Sequence, residues 1–488
     1  MAMIDRTSKI YSVTRQTCLF CRVTGTVFSV LPLVKSNPLG SAWLGSASGK
    51  LKFTTPLSKV IPVWFGRRVR SSLMLCLVLL ALGFKKATSQ PSVPATNPAP
   101  GSLPASSAPD RPADNLSYRP TDPLNPMAFD HFYNLDYDRA VQDFDQVLHR
   151  HPDDPFAVNH LLTAVLFREL YRMGVLDTGE YANDSFVGAQ HQPPDPKVQQ
   201  QIKDLVQKAL KLEENRLIAR PDDVDALYAR GVTRAQFSTY TALIERAWFS
   251  ALRNAVGARH DHERVLELSP GTTEAKLIVG AHNYVVGNLP WGVKAAVSMV
   301  GLGGNTEKGF KYLQECAAGN GETSIDAKIL LVLFLRRERR YGESLQIVRG
   351  LVESYPRNVL MAVEEGNLLR ASGHNQEAAA VYRKVWQAGR EGHYAGLHYE
   401  IAALGLGELL RSQKDDRGAA AAYELVGALT QSDPEVLQKA NLAAGEMYDW
   451  LGKRDLALKK YRAVIATNGS TPQAENARKY MKDAYKGD

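Results

Sequence analysis

The residues best placed to do chemistry are few. Cys18-Leu-Phe-Cys21 is a CxxC pair, but no second pair or His pair accompanies it, so a zinc site finds no ligand set. His149/His151 and His260/His262 are His-x-His pairs. Positions i and i+2 of a helix lie on different faces, so neither pair chelates there. His262 falls where a core aromatic is expected. The sequence contains no GxxxxGK[ST] loop, no GxSxG, no HExxH and no paired-carboxylate signature. The remaining candidates are arginines. Arg336, Arg370 and Arg411 follow Leu335, Leu369 and Leu410 at one recurring place, and Asn367, Glu408 and Glu446 share a second register. Three stacked guanidinium groups could grip carboxylates or a peptide backbone through forked hydrogen bonds, or simply be solvated charges on a helix face. This chemistry predicts binding, with no enzyme activity, no cofactor and no metal.

Charge separates the chain into two parts. Residues 1–109 hold 13 of the 59 basic side chains and one of the 51 acids, so residues 110–488 carry 46 bases against 50 acids, a net of −4. The bulk count therefore gives no support for a nucleic-acid surface on the folded part. Of the four cysteines only Cys316 lies beyond the leader, so no intrachain disulfide is available to the folded part.

Residues 67–89 have the order of a secretory signal. Arg67-Arg68-Val69-Arg70 precedes the apolar run Leu73 to Phe84, and Ala87-Thr88-Ser89 follows. The run is short for a bilayer span. Lys85-Lys86 and the 66 preceding residues do not fit a simple signal. Residues 1–66 are expected either to precede a true start near Val63 or Val69, or to be a transit sequence; an uncleaved anchor is the third possibility. Residues 90–123, rich in Pro, Ala and Ser, lack the large apolar residues needed to offset chain entropy and are expected to form an extended tether. The expected location is outside the cytoplasm, periplasmic or extracellular, with a membrane-anchored or organellar location as the alternative.

From about Leu124 onward, apolar residues recur at helical spacing between short turns, with no convincing alternation of period two. Asn441 to Ile465 is the clearest stretch: Gly445 and Tyr448 are followed by Gly452, then Ala457 and Tyr461. Gly366, Ala378 and Tyr382 repeat the pattern, as do Gly407, Ala419 and Tyr423. This resembles a tetratricopeptide (TPR) unit, in which small residues let two antiparallel helices approach and aromatics fill the space beside them. The glycines at 366, 407 and 445 are 41 and 38 residues apart, longer than the family's 34.

The resemblance implies an all-α TPR-like solenoid, a right-handed superhelix of antiparallel helix pairs. Irregular repeats are expected over 124–321, and regular repeats with a polar closing helix over 322–488. Two insertions break the pattern. Residues 172–196 contain Tyr181–Phe186 and Pro193-Pro194-Asp195-Pro196, and are expected to be a binding or capping element or a loop on the convex side. Residues 288–304 include the apolar run Val293 to Leu302, expected to be an extra core helix or a membrane-docking or groove-covering segment. Trp248 and Phe249 suggest a further helix between 241 and 268.

The family commonly receives a peptide or partner helix on a concave face of first helices. Arg336, Asn367, Arg370, Glu408 and Arg411 are the groove candidates, and a protein or peptide is the expected partner. The alternatives are an envelope assembly factor contacting a membrane surface, and a ligand-binding protein or enzyme with a pocket made by the two insertions.

Overall fold

The computed structural model describes residues 116–176, 178, 191–289, 291, 294, 298 and 302–487. The chain divides into two units, residues 1–62 and 63–488, and every described residue lies in the second. The leader, the signal-like segment, the tether up to residue 115 and the Tyr181–Phe186 loop lie outside the described residues.

The described residues form helices joined by turns, with one isolated parallel bridge between Ser117 and Gly321. Eight antiparallel pairs follow one another. They are α1 (Asn125–Tyr133) with α2 (Tyr137–Arg150), α3 (Pro155–Arg172) with α4 (Pro196–Ala219), α5 (Val224–Leu243) with α6 (Trp248–Leu268), and α7 (Lys276–Gly287) with α8 (Thr306–Ala317). Then come α9 (Ser324–Arg337) with α10 (Tyr341–Ser354), α11 (Val359–Ala371) with α12 (Asn375–Arg390), α13 (Glu400–Ser412) with α14 (Asp416–Gly427), and α15 (Pro434–Trp450) with α16 (Arg454–Thr467). Helix α17 (Pro472–Lys482) closes the stack. The expected all-α TPR-like solenoid is thus the observed architecture.

Local sequence explains where the helices begin. Asp154, Asp223, Asn358, Asp433 and Thr471 each cap a first turn by accepting a backbone N–H. Within a pair, the turn puts one residue at positive φ: Leu135, Arg339, Gly373, Lys414 and Gly452. Glycine takes that conformation freely, whereas the three side-chain-bearing residues hold it at a cost of about 1 kcal/mol.

Small residues set the crossing of each regular pair. Gly366 faces the Tyr382 ring, Gly407 the Tyr423 ring and Gly445 the Tyr461 ring, so closely that a methyl group would collide. Ala378, Ala419 and Ala457 are fully buried one turn before those tyrosines. The same Cε1 edge of Tyr382 also meets Gly405 on the next first helix, so the ring sets the spacing between units as well. Tyr448 packs at the margin of the core. It is half-buried and donates to Glu424 of the preceding unit at 2.9 Å, leaving Tyr461 as the ring inside the pair.

The third pair contains no extra helix. Trp248 and Phe249 begin α6, after a turn in which Arg246 has positive φ, and the pair is lengthened to helices of 20 and 21 residues. Its aromatic slot holds His262, buried as expected, stacked on Tyr228 at a centroid distance of 4.9 Å and facing Gly231. In the 288–304 insertion, Trp291 is 87% exposed and Lys294 donates to the Gly287 carbonyl at the end of α7, at 3.0 Å. Most of the Val293–Leu302 run lies outside the described residues. Among the described residues no helix is long and apolar enough to cross a membrane.

Candidate functional site on the first-helix face

The chain itself makes long-range contacts across the face lined by the first helices. Tyr133, at the end of α1, donates to Asp326 of α9 at 3.2 Å. Asn358, which caps α11, donates to the Tyr133 carbonyl at 2.7 Å, and Arg357 pairs with Asp136 at 3.2 Å. Farther along, the Tyr171 hydroxyl accepts from the His398 backbone at 3.0 Å. The helical curvature therefore brings the first units against units 193 to 227 residues distant in sequence.

The described ends of the 172–196 insertion contact first helices, while residues 177 and 179–190 lie outside the described residues. Thr178 donates through its hydroxyl to Glu364 at 2.8 Å, and Gln192 donates to Asp433 at 2.9 Å. The segment before α1 joins them. The Ser117 N–H donates to the Asn320 carbonyl at 2.8 Å, and Tyr118 stacks on Phe129. The Arg119 guanidinium lies 4.4 Å from the Phe156 ring centre and 4.6 Å from that of Tyr228, and its ends reach Asp225 and Glu274.

The three arginines occupy one register, and each is committed to a carboxylate of the following unit. Arg336 donates to both oxygens of Glu364 at 2.6 and 2.8 Å, and its N–H also faces the Thr178 carbonyl at 3.4 Å. Both members of this first pair are buried. Arg370 reaches Glu408 at 2.6 Å, and Arg411 reaches Glu446 at 2.6 Å and the Tyr485 hydroxyl at 2.9 Å. Asn367 links the ladder to the pair core, donating to Glu364 at 3.1 Å and accepting from the Tyr382 hydroxyl at 2.7 Å. The guanidinium–carboxylate pairs therefore hold neighbouring units in register. Glu364 was not singled out by the sequence. The signal for it is an acid near the middle of each next first helix, 28 to 38 residues after each arginine.

Past the Gln192–Asp433 contact, α13, α15 and α17 leave a cleft of about 290 Å³. Arg411, Lys439 and Glu446 supply its charges, Leu442 and Pro472 its apolar wall, and Asn476 an amide. The chain's end bounds this region: Tyr485 donates its backbone N–H to Asp449 at 2.9 Å and packs its ring on Trp450.

Several buried groups have altered proton affinity. Burial pushes the Asp326 carboxyl up to about 7, against the hydrogen bond from Tyr133. It pushes Glu213 to about 7 as well, against the Thr233 hydroxyl at 2.6 Å. Burial lowers His262 to about 4, and burial with the nearby Arg259 lowers His282 to about 3. The buried Cys316 thiol is raised to about 12, which keeps it protonated. Among the described residues no three His, Cys, Asp or Glu side chains are arranged to hold a metal ion.

No family model matches the chain, and no curated protein matches it. Solved structures similar to it include Pseudomonas aeruginosa PilF, at 14% identity and a TM-score of 0.32, covering 54% of this chain and 99% of that one. The human IFIT1 dimer with m7Gppp-AAAA is similar at 12% identity and a TM-score of 0.37, over 76% of this chain and 84% of that one. A tetratricopeptide repeat protein from Parabacteroides merdae is similar at 15% identity and a TM-score of 0.29, over 66% and 97%.

Proposed function

We propose that this TPR-like solenoid is a non-catalytic interaction scaffold that binds a protein or peptide partner across α13, α15 and α17. One observation carries the reading. The chain fills its first-helix face as far as Gln192 and Asp433, then leaves open a mixed polar and apolar cleft lined by Arg411, Lys439, Leu442, Glu446 and Asn476. A peptide there would meet side-chain donors and acceptors in a fixed array, the mode by which helical repeats bind extended segments. Asn367 and Arg370 act in this proposal by fixing the unit beside the cleft.

The test is cross-linked capture from native extract with the full chain, beside a Leu442→Arg/Asn476→Arg variant and a Leu456→Arg control on the outer surface. A partner held by the wild type and the control, and lost by the cleft variant, is the expected result. A partner held equally by all three would move binding elsewhere and overturn the assignment.

We further propose that the protein works outside the cytoplasm, held away from its leader by the Pro/Ala/Ser-rich stretch. The order of charges and apolar residues over 67–89 supports this reading. Sequencing of the mature N-terminus checks it: a first residue at Gln90 is expected, and an intact Arg67–Ser89 segment overturns cleavage.

A further inference from the structure

Where the N-terminal units meet α9, the interior holds a cavity of about 80 Å³. Its walls include the rings of Phe129, Phe132 and Phe144, the imidazole of His160 and the carboxylates of Glu322 and Asp326. His160 and Glu322 are 6% and 7% exposed. His160 Nε2 lies 3.2 Å from Glu322 Oε2, so in the neutral ring this nitrogen carries the proton and donates it. Nδ1 is then a lone-pair acceptor, and it has no hydrogen-bond partner. Asp326 Oδ1 accepts from Tyr133, and Glu322 Oε2 also accepts the Arg119 backbone N–H at 3.4 Å.

The Arg119 guanidinium is the nearby cation: its charge acts on Glu322 as well as on Glu274 and Asp225, but its N–H groups are turned to Asp225 at 3.1 Å and Glu274 at 3.4 Å and away from the cavity's carboxylates. Among the described residues no lysine or arginine side chain forms a contact ion pair with Glu322 or Asp326, and His160 is the side chain within hydrogen-bond distance of Glu322. Buried carboxylates without a fixed cation are costly. Two carboxylates and an imidazole with an unpartnered nitrogen line one space whose lining holds no lysine or arginine, beside aromatic rings, a ring type whose faces attract positive charge. The missing complement is a small cation that carries several N–H donors.

We propose that this cavity binds a primary ammonium group, with Glu322, Asp326 and His160 Nδ1 accepting its three N–H bonds. A free alkylamine or the tip of a lysine side chain could bring that group. The full chain is titrated with ethylammonium, with Nα-acetyl-lysine methylamide and with tetramethylammonium, which has equal charge and no N–H donor. Calorimetry gives the affinities, and saturation transfer from the Phe129 and Phe144 rings to the ligand locates them. Binding of one of the two primary amines, about tenfold tighter than tetramethylammonium and weakened about tenfold by Asp326→Asn, is expected. A response to the lysine amide alone identifies a side chain as the source, and a response to ethylammonium alone a free amine. Failure of both amines, equal binding of tetramethylammonium, or an Asp326→Asn protein that binds as well as the wild type would overturn the proposal. The wild-type comparison among the three compounds needs no variant and decides the matter even if Asp326→Asn fails to fold.

Discussion

The two halves of the solenoid reach similar packing by different rules. From α11 onward each pair repeats one local device, a glycine on the first helix with an alanine and a tyrosine on the second, and in the first two of these pairs an arginine reaches the next unit. Before α9 the slots are filled by different residues, such as His262 over Gly231, and the helices vary in length. The earlier half relies instead on contacts between distant segments, including the Tyr133–Asp326 bond and the Arg119 guanidinium against the stacked Phe156 and Tyr228 rings. Regularity is therefore a way to specify packing from nearby residues, and it can be dropped where long-range polar and aromatic contacts take over.

Breaking the junction between the two rules should cost most. Arg336 pairs with Glu364 beneath Thr178, and Arg336→Ala leaves the Glu364 carboxylate buried without a cation. Urea denaturation is expected to show a loss of about 3–5 kcal/mol. The irregular half should then be distinguished by its response to acid. His262 is lowered to about 4, from an ordinary value near 6.5. Its contribution is complete above pH 6.5 and is lost as pH falls toward 4, because the unfolded chain takes up the proton first. The stability gap between wild type and His262→Phe should narrow by about 3 kcal/mol between pH 7 and pH 4. Asp326 and Glu213, raised to about 7, change stability in the opposite sense over that window, so the difference between the two proteins is the quantity to read.

In the regular half, Gly407→Val should drive a side chain into the Tyr423 ring and cost about 1–3 kcal/mol by the same measurement. Arg339→Gly tests the positive-φ turn and should raise stability by about 1 kcal/mol. The smallest effect is expected from Arg370→Ala. Its pair with Glu408 is partly solvated, so the loss should stay below about 1 kcal/mol. A cost as large as that for Arg336→Ala would show that the ladder acts as one network.

Much of the regular half was legible in the sequence because its determinants lie within one unit. The glycine, alanine and tyrosine spacing predicted the pairs, and aspartates before apolar runs marked helix starts such as those of α3 and α5. The shared register of the arginines was also visible. Their partners were not, because each carboxylate belongs to the next unit and Glu364 sits one turn before the register that Asn367, Glu408 and Glu446 share. The occupancy of the first-helix face was hidden for a different reason. It depends on the accumulated turn of several units, which brings Thr178 to Glu364 and Gln192 to Asp433. Trp248 and Phe249 misled because an apolar pair inside a long second helix has the same local pattern as a separate helix.

The contacts that tie the first units to the later ones also bear on how the molecule comes apart. An open repeat array frays from its ends, since each unit leans only on its neighbours. Here Asn358 and Arg357 hold Tyr133 and Asp136, and His398 holds Tyr171, so the array is cross-braced. Cross-bracing turns a spring into a clamp: stretching it must break several polar contacts together before any one pair can unwind. The block from α1 to the start of α15, which Gln192 reaches at Asp433, should therefore unfold as a single cooperative unit, with the slow folding of long-range topologies.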